Sequence, residues 1–163
     1  MKWHTFSGRQ VEMPAPDFCL VSDAGDTICD TVYRQREKQV IVFPSGNTPA
    51  EWQPVLDAFS DHARSWNEQG AVALALLPAE PETIKGLGRN LAYHFPLLAD
   101  SGARVRRAYE PLLGDDRGTS HLVFVLDSFG APYAAAVNAD PTRDELYNQI
   151  DEWLRFIAIQ CPE

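Results

Sequence analysis

Basic residues are scarce in this chain: 14 lysines and arginines stand against 23 aspartates and glutamates, for a formal charge of -9. A field of that sign disfavours polyanions, so no nucleic acid and no membrane are expected as partners. No stretch approaches the roughly 20 apolar residues that span a bilayer. The opening Met1-Lys2-Trp3-His4-Thr5 lacks the apolar core of a signal peptide. Cysteine is equally sparse. Cys19, Cys29 and Cys161 are too few and too scattered for a disulfide framework, and no Cys-x-x-Cys occurs. The four histidines show no metal-ligand spacing, and Gly86-x-Gly88 is too short for a nucleotide loop, so no metal and no cofactor are expected. These absences leave an acidic, soluble protein, expected to be cytoplasmic.

The 163 residues read as a single domain, 1–163, with residues 1–13 as an N-terminal extension that carries no clear period. An apolar content of 45% with four tryptophans is enough to build a core. Three apolar runs read as buried strands: Val40 to Phe43, Ala71 to Leu77 and His121 to Leu126. Two apolar stripes read as helices. The first holds Trp52, Val55, Leu56, Phe59, Ala63 and Trp66; the second holds Leu146, Ile150, Trp153, Leu154 and Ile157. Pro54 either kinks the first helix or separates a first turn from the rest. Phe18 to Leu20 and Thr27 to Cys29 flank turn residues and form a hairpin. Pro81 to Tyr93 is a weaker helix, and Phe95 to Asp100 a short strand. Ser101 is expected to cap the helix Ala103 to Tyr109. Ala131 to Val137 returns as a hairpin partner, and Thr142 with Glu145 makes a capping box for the last helix.

The informative loop is Pro44-Ser45-Gly46-Asn47-Thr48, which joins the first buried strand to the first long helix. A helix N-terminus at the end of a central strand is where α/β proteins place their chemistry. Thr48-Pro49-Ala50-Glu51 has the form of a capping box with proline at the first helical position, so Glu51 is expected to satisfy a backbone donor there. His121 with Glu51 is a candidate pair, as an acid–base couple or as a plain hydrogen bond. Arg104, Arg106 and Arg107 read as one solvated helix face, and His62 as a solvated histidine.

The spacing Pro44, Thr48, Glu51 resembles the active-site loop of the peroxiredoxins, the alkyl hydroperoxide reductase and thiol-specific antioxidant family. Ala15-Pro16-Asp17-Phe18-x-Leu20, Phe95-Pro96-Leu97-Leu98-x-Asp100 and Val105-x-x-x-Tyr109 resemble further segments of that family, in the same order. The resemblance implies an α/β, thioredoxin-like (peroxiredoxin-type) mixed β-sheet flanked by helices. It also implies a thiol peroxidase pocket at Pro44, Thr48, Glu51 and His121, with the nucleophilic cysteine at position 51 and an arginine six residues before Asp127. This sequence has Glu51 and His121 at those two positions, and Arg117 is out of register.

Two function classes follow. In the first, the chain has lost cysteine peroxidase activity and acts by binding: to itself as a homodimer, to a protein, or to a small-molecule ligand. In the second, it is an antioxidant thiol oxidoreductase using a relocated cysteine, Cys29 ahead of Cys19 and Cys161. Cys19 reads as a small inert strand residue. Cys161 resembles a carboxy-terminal resolving cysteine of some peroxiredoxins, but without a cysteine at position 51 it reads as a free or buried thiol.

Overall fold

A computed structural model of the chain describes residues 1–6, 14–91, 93–116 and 118–160. Its centre is a six-stranded mixed sheet. In chain order the elements are β1 (Lys2–Thr5), β2 (Cys19–Val21), β3 (Thr27–Cys29), β4 (Lys38–Phe43), α1 (Pro49–Glu68), β5 (Ala71–Leu77), α2 (Pro81–Asn90), β6 (Leu97–Ala99), α3 (Arg104–Tyr109), β7 (Leu122–Leu126), β8 (Pro132–Val137) and α4 (Asp144–Gln160). The strand order is β1-β8-β7-β4-β5-β6, with β2 and β3 as a separate ribbon. Strands β4, β5 and β6 run parallel, and β7 and β8 run antiparallel to their neighbours.

The three expected central strands are therefore all present, and their continuous apolar runs have a simple cause: both faces are covered. Val40 and Val42 point into a core shared with α1, α2 and α4. Ile41 and Phe43 point into a second core with Phe18, Tyr109 and Phe124. Strand geometry sends alternate side chains to opposite faces, so four consecutive residues serve two cores.

Helix α1 runs unbroken through Pro54. The proline lies close enough to the N-terminus that only one ladder bond is lost, and the stripe from Trp52 to Trp66 outweighs it by burial. Two caps differ from the sequence reading. Asp100, not Ser101, holds the start of α3: its carboxylate accepts the N–H groups of Val105 and Arg106 at 2.9 and 3.1 Å. A carboxylate offers two acceptors and a charge where a hydroxyl offers less. At the other end of the chain, Asp140 accepts both the N–H and the hydroxyl of Thr142, and α4 begins only at Asp144. Thr142 is thus spent in an Asx turn and does not cap.

Lys2–Thr5 lies within the segment expected as an extension and forms the edge strand, paired with β8 from Lys2↔Val137 to Thr5↔Ala134. Residues 7–13 of that extension lie outside the described residues. Among the described residues, no helix is long and apolar enough to cross a membrane.

Candidate functional site

The parallel strands β4, β5 and β6 all end on the same side of the sheet, and the loop 44–48 leaves from the middle of that edge. Side chains from three directions pin this loop. Arg106 of α3 donates from Nη1 to the Phe43 carbonyl at 3.0 Å and from Nη2 to the Ser120 carbonyl at 2.6 Å. His121, at the foot of β7, accepts the Ser45 N–H on Nδ1 at 3.0 Å. Trp52 Nε1 donates to the Gly46 carbonyl at 3.0 Å. Glu51 Oε2 accepts the Asn47 N–H at 3.1 Å.

Gly46 explains why the loop can close this tightly. Its φ is +107, a conformation that other residues adopt only under strain. A Cβ at this position would lie 1.8 Å from Glu51 Oε2 and 2.7 Å from Glu51 Cβ. The Glu51 side chain therefore lies directly over the glycine, with its carboxylate folded back across the loop. The capping box is altered by this. Thr48 makes no side-chain cap bond, and Glu51 satisfies Asn47, one residue before the donor that a capping box uses. The fixed anion still stands in the first turn of a 20-residue helix, where the positive end of the helix stabilises it.

The expected Glu51–His121 pair is not formed. Nδ1 of His121 is occupied as an acceptor, which puts the proton of the neutral ring on Nε2. Burial pushes this imidazole below its usual value; the Arg106 guanidinium pushes the same way and Asp140 opposes both. Among the predicted pocket residues, Pro44 is buried, Thr48 and Glu51 are exposed, and His121 is half-buried.

The sequence reading missed Arg106. It is not part of a solvated face: its side chain is 12% exposed, with Glu110 Oε1 3.5 Å from Nε. Burial lowers its pKa, and Glu110 and Asp100 oppose that shift. A cation thus stands beside the loop, with each of its three nitrogens already facing a partner: the two backbone carbonyls and Glu110. Arg117, the other arginine considered, lies outside the described residues. His62 is not a solvated histidine either: its ring stacks on Tyr147 with centroids 3.9 Å apart and planes 8° from parallel.

Two of the three cysteines depart further from expectation. Cys19 and Cys29, read as separate thiols, form a disulfide with an S–S distance of 2.04 Å. The hairpin register pairs Cys19 directly with Cys29, which brings the two sulfurs together. Neither one is a free nucleophile in this state. Cys161 lies outside the described residues. Among the described residues, no group of three or more histidines, cysteines, aspartates and glutamates is arranged to hold a metal ion.

The AhpC/TSA family model matches residues 11–131. Solved structures with the same architecture include peroxidoxin BcpB from Mycobacterium tuberculosis, at 19% identity and a TM-score of 0.70, covering 89% of this chain and 96% of that one. The mitochondrial 2-Cys peroxiredoxin from Plasmodium falciparum is 16% identical with a TM-score of 0.67, over 94% of this chain and 98% of the other. A PrxQ mutant from Xylella fastidiosa is 15% identical with a TM-score of 0.66, over 96% and 94%. At these identities the structural likeness speaks for the fold alone. A search of curated proteins finds no match.

Proposed function

This chain belongs to the AhpC/TSA family, and from that premise we propose that it no longer reduces peroxide at the family loop and acts there by binding. The supporting observation is Glu51. A peroxide-reducing thiolate attacks one peroxide oxygen, becomes a sulfenic acid and expels the other oxygen. A carboxylate oxygen has no comparable oxidation open to it. Glu51 instead places a carboxylate where the thiolate of a working enzyme would stand, and it fastens the loop through Asn47. The remaining parts fit a static site. The Arg106 nitrogens face the Phe43 and Ser120 carbonyls, and His121 accepts the Ser45 N–H. A rigid loop beside a fixed anion is suited to recognition, by a second copy of the chain, by another protein or by a small ligand.

The experiment is peroxide consumption by the full chain with hydrogen peroxide and a dithiol reductant. The expected result is no turnover above that of free cysteine. Rapid turnover abolished by Cys29→Ser would overturn the proposal and establish a relocated peroxidase in its place. Sedimentation of the full chain at tens of micromolar, roughly the range where weak interfaces associate, tests self-association. A homodimer is expected, and a monomer would remove self-association from the reading.

A further inference from the structure

We propose that Cys19–Cys29 is an exchangeable disulfide, a redox site separate from the 44–51 loop that accepts two electrons from a dithiol. The bond has three properties that a purely structural cross-link does not need.

First, the ribbon it spans is held without it. Strands β2 and β3 are paired over three residues on each side. Below them, Asp30 N–H donates to the Phe18 carbonyl at 3.1 Å, and Phe18 N–H donates to Asp30 Oδ1 at 2.9 Å. Above them, Ser22 N–H closes the turn on the Asp26 carbonyl at 2.7 Å. The tip is tied to the main sheet by Asp23 Oδ1, which accepts the Leu97 N–H at 3.1 Å, and it rests on α2 at Gly88. The cysteines are only 10 residues apart in sequence. Closing so short a ring constrains the unfolded chain less than closing a long one.

Second, neither cysteine is buried. Cys19 is exposed and Cys29 half-buried, whereas cysteines kept for packing are among the most buried of residues. An attacking thiolate needs access to one sulfur, and of the two residues Cys19 is the more exposed and lies on a groove.

Third, Cys19 lines a groove of about 350 Å³ together with Val21, Pro81, Arg104 and two carboxylates, Asp17 and Asp100; Asp17 is paired with Arg34, and Asp100 accepts the N–H groups of Val105 and Arg106. With both carboxylates engaged elsewhere, Arg104 is the charge the groove offers to a segment carrying a thiolate. Helix α3 thus sends Arg106 to the family loop and Arg104 to this groove.

The exchange balances without a further reagent. A thiolate of the dithiol attacks Cys19 Sγ and forms a mixed disulfide. The Cys19–Cys29 bond breaks, and its electron pair leaves on Cys29 Sγ, which takes up a proton. The second thiolate of the dithiol then attacks its partner sulfur in the mixed disulfide. Cys19 leaves as a thiolate and is protonated. The chain is reduced by two electrons, and the dithiol is oxidised to its own disulfide.

The test uses the full chain in buffers with graded ratios of reduced to oxidised dithiothreitol, without denaturant. Alkylation and peptide mass spectrometry read Cys19 and Cys29 separately from Cys161, and circular dichroism follows the fold. The expected result is a single two-electron transition with unchanged secondary structure. With reduced glutathione as probe and an acid quench, wild type should carry the mixed disulfide on Cys19 at least about tenfold more often than on Cys29. Arg104→Glu should slow the Cys19 reaction several-fold. A bond reduced only when denaturant is added, or reduction that removes the secondary structure, would overturn the proposal and leave a structural cross-link. Equal amounts on the two cysteines would overturn the assignment of Cys19 as the attacked sulfur, and an unchanged rate in Arg104→Glu the assignment of the groove.

Discussion

His121 Nδ1 accepts the Ser45 backbone N–H at 3.0 Å, so the loop that leaves β4 is held by a ring that must stay unprotonated on that nitrogen. Protonation would replace the acceptor with a donor facing a donor. The folded pKa lies below the usual imidazole value of 6.5, with burial as the first cause. The contribution to stability is therefore complete above pH 6.5 and is lost as pH falls through the lower folded value. His121→Gln keeps an acceptor without a proton to gain, and its stability should fall less steeply with acid over that window. His121→Leu leaves the Ser45 N–H unpaired and should cost about 1–3 kcal/mol above pH 6.5, a cost that shrinks in acid as wild type loses the same bond. Denaturant melts between pH 8 and 5 separate the two. Parallel pH profiles for wild type and the glutamine variant would contradict the assignment.

The sequence held most of the fold and half of this site. Strands β4, β5 and β7 were legible because a strand buried on both faces leaves an unbroken apolar run. Helices α1 and α4 were legible because a 17- or 20-residue helix covering one core needs a stripe. Lys2–Thr5 was not legible: Lys-Trp-His-Thr at an edge has no period, and only its pairing with β8 makes it a strand. Pro44, Thr48, Glu51 and His121 emerged from motif spacing. Arg106 did not, because α3 is only six residues long and three arginines crowd it, so no stripe separates the buried one from the others. The disulfide has its own signal in the spacing. Cys19 and Cys29 are equidistant from residue 24, so any two-stranded hairpin turning there sets them opposite each other.

Gly46 and Glu51 should prove coupled. Gly46→Ala forces a side chain onto a backbone at φ +107 and against Glu51 Oε2 and Cβ. The expected loss is about 2–4 kcal/mol, from backbone strain and overlap together. Glu51→Ala alone removes the Asn47 acceptor from an exposed loop and should cost about 0.5–1.5 kcal/mol. In the double variant the Oε2 overlap is gone while the φ strain and the Cβ contact persist. The two losses should then sum to more than the double variant shows, by about 1 kcal/mol. Strict additivity in equilibrium denaturation would mean that the carboxylate does not lie over the glycine.

Arg106 ties three segments that meet nowhere else in sequence: the end of β4, the residue before His121, and α3 itself. Arg106→Met keeps the stem and removes every donor, leaving the Phe43 and Ser120 carbonyls without this partner. Charge-assisted bonds in a half-buried setting make a loss of about 2–4 kcal/mol reasonable. For a chain of this size that lowers the melting temperature by roughly 5–15 °C. Arg106→Lys supplies one cationic head in place of a fork and should recover less than half of the loss, since a point charge cannot serve both carbonyls at once. A melting temperature unchanged in Arg106→Met would return the residue to the solvated face on which its sequence placed it.

Placing a thiol at position 51 tests whether the loop can serve as a peroxidase scaffold. Glu51→Cys places sulfur in the first turn of α1, next to Thr48, where the helix end favours the thiolate. Its pKa should fall below the free value of about 8.5, and iodoacetamide should alkylate it readily at pH 7. Peroxide reduction asks for more. The departing oxygen needs a cation aimed at it, and the three Arg106 nitrogens are turned to Phe43, Ser120 and Glu110. His121 is neutral and points Nδ1 at Ser45. The single variant should therefore react slowly with hydrogen peroxide. Adding His121→Arg brings a guanidinium to the foot of β7 at the expense of the Ser45 contact. The double variant should be less stable yet faster per folded molecule, by about tenfold to a thousandfold, the usual worth of one such partner. Stopped-flow measurement of sulfenic acid formation, normalised to folded protein, gives the comparison. If single and double variants reacted at the same rate, position 121 would not face the reacting oxygen. If the introduced thiol were not alkylated in either variant, the loop would be closed to solvent at that position, and binding through it would lose its physical basis.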